Sequence, residues 1–123
     1  MIDVVCGVIE NGDKYLITQR GDKTNYGKWE FPGGKVKENE YPFNSIKREI
    51  KEELNLEISP LREIIRYQFK VFNLIFIQCE ILETNPEINL NEHLNYKWIE
   101  IKDFKLYDFI EGDTEFIKYL EKN

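Results

Sequence analysis

The chain has 123 residues, 41% of them hydrophobic and 14% aromatic, enough for a packed core without disulfides or a structural metal. Its 17 basic and 23 acidic residues leave a net charge of −6, which excludes a sequence-independent grip on a nucleic-acid polymer, because such a grip needs a basic surface to displace counterions. No apolar run approaches a membrane span, and Met1 to Tyr15 lacks the basic start and small-residue cleavage site of a secretory signal, so a reducing cytoplasm is the expected location.

The first expected element is a hairpin. Ile2 to Glu10 is β-branched and apolar, Asn11-Gly12-Asp13 is a turn sequence, and Tyr15 to Gln19 is a second such run. Residues 21–28 are polar and read as a loop, followed by a short extended piece from Trp29 to Phe31. Pro32-Gly33-Gly34 reads as a loop whose glycines take backbone geometries that a Cβ resists. From about Ser45 the sequence predicts a helix, with Phe43, Ile46, Ile50 and Leu54 recurring as one apolar stripe.

Pro60 is expected to open a β region in which Leu61 to Lys70 and Phe72 to Leu82 form a long antiparallel pair, with Asn73 its weak point. Residues 83–93 carry Pro, Asn and acids and read as an exposed loop. Leu94 to Ile101 reads as a strand, Asp103 to Leu106 as a helical turn, and Thr114 to Lys122 as a final helix with Phe116, Ile117 and Leu120 facing inward. No repeat, low-complexity tract or linker interrupts this order, so residues 1–123 read as one domain. Strands mixed with two helices imply a sheet covered on both faces, an α/β/α sandwich. Cys6 and Cys79 lie in apolar runs and are expected as buried free thiols, and the lone His93 cannot build a zinc site by itself.

The chemistry concentrates between Gly33 and Leu56. Glu49, Glu52 and Glu53 sit beside the apolar stripe at i, i+3 and i+4, which places three carboxylates on one helical face. Like charges so placed cost roughly 0.2–0.5 kcal/mol per pair unless a cation neutralises them. Hard oxygen ligands of this kind suit Mg²⁺, with Mn²⁺ as the alternative. The competing reading is a solvated acidic face with an Arg48–Glu52 salt bridge at i,i+4. The adjacent glycine loop tips the balance toward the cation site.

Here the chain resembles the Nudix hydrolase family, whose signature G-x5-E-x7-R-E-U-x-E-E-x-G-U (U apolar) is matched by Gly34, Glu40, Arg48, Glu49, Ile50, Glu52, Glu53 and Leu56. The family's last glycine is Asn55, a conservative change, because Asn tolerates the left-handed conformation that caps a helix. The resemblance covers essentially the whole chain and implies the Nudix-type α/β/α sandwich with a mixed β-sheet. It also implies metal-dependent hydrolysis of a nucleoside diphosphate linked to another group. Glu49 and Glu53 are expected to bind the metal directly, with Glu52 completing the cluster and a carbonyl of Gly33 or Gly34 adding an oxygen. Arg48 is expected to orient the acids. Glu40 either binds the metal or supports groups that do. The nucleophile is a metal-activated water, with Glu53 and Glu92 as alternative bases. Glu92 matches, by its offset from Trp98, a loop glutamate that binds metal in MutT-type members, and solubility of the loop is the competing explanation.

The phrases WEFPGGK at Trp29 to Lys35, TQR at Thr18 to Arg20 and DFIEGDTEF in the tail are similar to the MutT group, which hydrolyses nucleoside triphosphates to the monophosphate and pyrophosphate. That resemblance implies a substrate side made of Arg20, Gly33, Gly34, Lys35 and Asp113, with Asp113 meeting the base. Asp113 also reads as the N-cap of the last helix. Ionised, it accepts hydrogen bonds without donating, which suits exocyclic amino groups such as that of cytosine. Oxidised dGTP and pyrimidine triphosphates are both candidate substrates. The alternatives are a Nudix hydrolase of a nucleoside diphosphate sugar such as ADP-ribose, and a non-catalytic binding module. The short chain speaks against the first, the intact glutamates against the second. The implied partner is a small nucleotide, with no nucleic-acid polymer and no membrane, and the sequence carries no signal for an oligomeric state.

Overall fold

The computed structural model describes residues 1–123. Its central strand is β1 (Ile2–Asn11), in which the side chains of Val5 to Ile9 are buried on both faces of the sheet. β1 runs antiparallel to β4 (Gly33–Lys35) and parallel to β6 (Phe72–Ile81), and at Glu10↔Tyr15 it passes into the hairpin with β2 (Lys14–Gln19). β2 in turn lies between β3 (Trp29–Glu30) and β7 (Asn95–Glu100), and β6 pairs antiparallel with β5 (Ile58–Phe69) at the edge. The sheet is thus mixed, as expected.

Side-chain alternation divides the core in two. Val5 and Ile9 of β1, with Ile75 and Ile77 of β6, point toward Ile46, Ile50 and Leu54 of α1 (Pro42–Leu54). Cys6 and Val8, with Leu74 and Phe76, point the other way, toward Phe31, Phe104, Phe116 and Leu120, the last two on α2 (Thr114–Lys122). A strand apolar on both faces is what a sheet covered on both sides requires. One layer is mostly aliphatic. The other is an aromatic stack in which Phe76 and Phe116 lie 4.2 Å apart, centroid to centroid. Cys6 and Cys79 are buried free thiols.

Several boundaries differ from the sequence reading. α1 begins at Pro42, where a fixed φ suits the first helical turn, and Phe43 is 39% exposed instead of joining the apolar stripe. β5 begins at Ile58 and runs through Pro60, which an edge strand tolerates, with a register shift between Pro60 and Arg62. Asn73 is no break: it pairs with Asp3 in the ladder, and the β5–β6 turn falls at Lys70 (φ 56°) and Val71. The Gly33-Gly34 segment is a strand in place of the expected loop.

Candidate functional site

Neither glycine at the start of the signature has a positive φ. Their role is close approach. A Cβ at Gly33 would run into the Val5 carbonyl of β1, and a Cβ at Gly34 would sit 2.5 and 2.7 Å from the two carboxylate oxygens of Glu49. Glycine therefore lets β4 press against β1 on one side and receive the Glu49 carboxylate on the other.

The C-terminal end of α1 is held by the loop before β7. Asn55 takes the left-handed conformation (φ 58°, ψ 34°) and donates its N–H to Lys51 O, as the substitution for glycine required. The next three carbonyls, which a helix end leaves without partners, are met from residues 89–91: Asn91 Nδ2 reaches Glu52 O, Asn91 N reaches Glu53 O, and Asn89 N reaches Leu54 O. This clamp brings Glu92 close enough to Glu53 for their charges to interact. The loop is built into the site, and it is more than the solubilising segment its composition suggested.

Glu53 is an unsatisfied group of the site. Burial, then the charges of Glu30, Glu49 and Glu92, push its carboxyl up to about 9, against a backbone hydrogen bond from Gly33 that lowers it. Its Oε1 is buried without a hydrogen-bond partner. A buried carboxylate surrounded by other acids suits a cation site, because a bound divalent ion would reverse the shift. No group of three or more His, Cys, Asp or Glu side chains forms a metal cage by itself. The donor set therefore fits an ion that takes few side chains and completes its shell with carbonyl, water and phosphate oxygens, as Mg²⁺ does.

Arg48 and Glu40 lie behind this group. Arg48 Nε and Nη2 grip the two Glu40 oxygens at 2.8 and 2.9 Å, Nη1 reaches Glu49 at 2.8 Å, and Nη2 reaches Lys35 O at 3.2 Å. Glu40 also accepts the Ser45 hydroxyl at 2.6 Å and the Lys37 N–H at 3.0 Å. The Arg48 guanidinium above all, then the Ser45 hydroxyl, hold its carboxyl far below the usual range. Its oxygens are fully engaged, so Glu40 orients Arg48, which orients Glu49. Glu52 is mostly exposed, 3.3 Å from Arg48 Nη1, and does not line the cleft.

The cleft has a volume of about 620 Å³. Glu49, Glu53 and Glu92 line it together with Gly33, Gly34 and Lys35, and Arg20 and Asp113 line it as well. Arg20 donates to Glu30 and Asp22, each at 2.8 Å, and to Thr24 O at 2.9 Å. Glu30 and His93 also line it and received no site role from the sequence. Glu30 is 8% exposed and accepts from Arg20, and its other oxygen lies 2.9 Å from His93 Nε2, whose ring is itself buried. A carboxylate between the apolar Trp29 and Phe31 was the available signal.

Asp113 corrects the N-cap reading. It stands at the N-cap position of α2, but its side chain makes no cap bond, and its Oδ2 accepts the Phe31 N–H at 2.9 Å, 82 residues away. Burial pushes its carboxyl up to about 8. Burial thus favours the protonated form, which can donate as well as accept, so the acceptor-only argument toward cytosine does not decide the base.

A mixed sheet between two helical layers thus carries a glycine strand packed against Glu49, with Glu49 and Glu53 of α1 lining a cleft of about 620 Å³. Residues 2–120 match the NUDIX domain model, and the chain belongs to that family, as an enzyme of it. The 8-oxo-dGTP diphosphatase of Buchnera aphidicola subsp. Schizaphis graminum is 38% identical over 98% of this chain and 93% of its own length. The CTP pyrophosphohydrolase of Escherichia coli K12 is 27% identical, covering 96% and 90%. The solution structure of the E. coli ORF135 protein superposes with a TM-score of 0.83 at 25% identity, over 99% of this chain and 89% of that one.

Proposed function

We propose that this protein hydrolyses nucleoside triphosphates to the monophosphate and pyrophosphate with Mg²⁺, Mn²⁺ being the alternative ion. The observation that carries this reading is the orphaned, buried Glu53 Oε1 beside Glu49 at one end of the cleft, with Arg20 and Asp113 also lining it. Glu49 and Glu53 would hold the ion with the Gly33 carbonyl, and Glu52 lies outside the cleft on the exposed side of α1. When bound, the ion supplies neutralisation of the phosphate charge and a lowered pKa for the attacking water. Glu53 or Glu92 accepts that water's proton. Arg48 keeps Glu49 in place, Arg20 and Lys35 contact the nucleotide, and Asp113 meets the base.

The relatives named for 8-oxo-dGTP and for CTP support a triphosphate substrate and leave oxidised guanine and cytosine as the bases to compare. A panel of 8-oxo-dGTP, dGTP, CTP, 5-substituted pyrimidine triphosphates and ADP-ribose, assayed with Mg²⁺, tests the reading. Release of pyrophosphate from a triphosphate is expected. Release of orthophosphate alone, or turnover of ADP-ribose only, would overturn it.

A further inference from the structure

The turn that carries Asp113 is held by a residue that does not line the cleft. An aspartate at an N-cap position ordinarily turns its carboxylate onto the N–H groups of its own helix. Asp113 does not: its backbone is already helical (φ −87°, ψ −7°), and the first turn finds its acceptor elsewhere. The N–H of Phe116, third residue of α2, donates to the Tyr67 hydroxyl of β5 at 3.2 Å. The same hydroxyl donates to Gly112 O at 2.6 Å. One phenol therefore grips the chain on both sides of Asp113, using its single proton and one lone pair. Its ring is fixed by stacking on Phe76 (5.6 Å between centroids, 19° between planes), which stacks on Phe116.

We propose that Tyr67 is a positioning residue for base selection: by bridging Gly112 O and Phe116 N–H it holds the turn between them so that the Asp113 carboxyl meets Phe31 and the cleft. Gly112 O is the acceptor that an uninterrupted helix would offer Phe116 N–H four residues on, and the Tyr67 hydroxyl stands between the two. Without the hydroxyl, Phe116 N–H and Gly112 O both lose their partner, and closing the turn on itself satisfies both. That closure shifts Asp113, which lies between them, away from Phe31 N–H and the cleft. The selectivity part of this inference rests on the reading that Asp113 meets the base. The tether itself rests on hydrogen bonds alone.

Tyr67→Phe removes both hydrogen bonds and keeps the stacked ring. Amide hydrogen exchange at Phe31 in the substrate-free protein is expected to accelerate by roughly tenfold, the size of one net hydrogen bond. The kcat/KM ratio between 8-oxo-dGTP and CTP is expected to shift in Tyr67→Phe as it does in Asp113→Ala, through KM more than kcat, and the double variant is expected to add nothing. A merely structural tyrosine would lower the melting temperature and scale all substrates alike. Unchanged exchange at Phe31 overturns the tether. A ratio that moves in Asp113→Ala but not in Tyr67→Phe overturns the positioning role. A ratio unmoved in Asp113→Ala overturns the base reading of that residue and the selectivity claim with it, while faster exchange in Tyr67→Phe would still uphold the tether.

Discussion

Glu40 and Glu53 belong to one signature and stand 13 positions apart, yet their surroundings are opposite. Every oxygen of Glu40 is engaged by Arg48, Ser45 or Lys37, and the carboxylate is held ionised far into acid. Glu53 has a buried oxygen with no partner and three acids close enough to raise its pKa. A satisfied carboxylate serves as scaffold, whereas one kept short of positive charge is a candidate binding site. Spacing cannot separate the two roles, because both residues are simply glutamates at set offsets.

Glu53→Gln breaks this contrast most sharply. Turnover at saturating Mg²⁺ is expected to fall by about 10²-fold or more, as for loss of a ligand or base. Stability should move the other way. With an ordinary value of 4.5 and a folded value of about 9, Glu53 contributes stability that is complete below pH 4.5 and is lost as pH rises through about 9. By pH 7 the penalty on the metal-free protein amounts to roughly 3 kcal/mol. Melting of the metal-free variant across that window should therefore be flatter and higher than wild type. An equally steep decline would show that Glu53 is not the unsatisfied group.

Gly34→Ala sharpens the contrast from the side of Glu49. The added methyl meets the far end of a flexible carboxylate, which moves at little cost to the fold but leaves its place in the site. A loss of about 10- to 100-fold in kcat/KM is expected with melting nearly unchanged. Gly33→Ala meets backbone and should lower melting instead, so the two glycines separate function from fold in paired thermal scans and rate measurements.

Glu40→Gln removes charge from a residue that touches no substrate. About a tenfold loss of activity is expected, below that of Glu53→Gln, together with a lower melting temperature. A loss matching that of Glu53→Gln would place Glu40 in the metal site itself. The smallest effect belongs to Asn55→Gly, where both residues accept the left-handed cap: activity within a few-fold and stability within about 1 kcal/mol by steady-state rates and melting.

What the sequence made legible were features with local causes. The hairpin followed from a turn sequence between β-branched runs, α1 from its apolar stripe, and Asn55 from the tolerance of Asn for positive φ. What it concealed depends on distant partners. Gly33-Gly34-Lys35 has no intrinsic preference for a strand and becomes one because β1 offers it a vacant edge. The N-cap rule assigned Asp113 to the nearest N–H groups, and only the fold reveals a donor 82 residues away and a tyrosine that takes over the cap. Glu30 lies in a strand too short to show a period, and its partners Arg20 and His93 come from either side in sequence.

The parallel pairing of β1 with β6 also sets a kinetic constraint. Ile2 must find Phe72, a separation of 70 residues, before the central strand has its long neighbour, and the intervening chain includes the whole signature helix. Closing such a loop costs entropy before any contact repays it, which places a domain of this topology among slower folders than one built from local helix contacts. The cleft draws on residues from Val4 to Asp113, so it exists only after that closure. Refolding from denaturant should accordingly restore secondary structure first and hydrolysis last, and the enzyme's own turnover becomes the most stringent reporter of a completed fold.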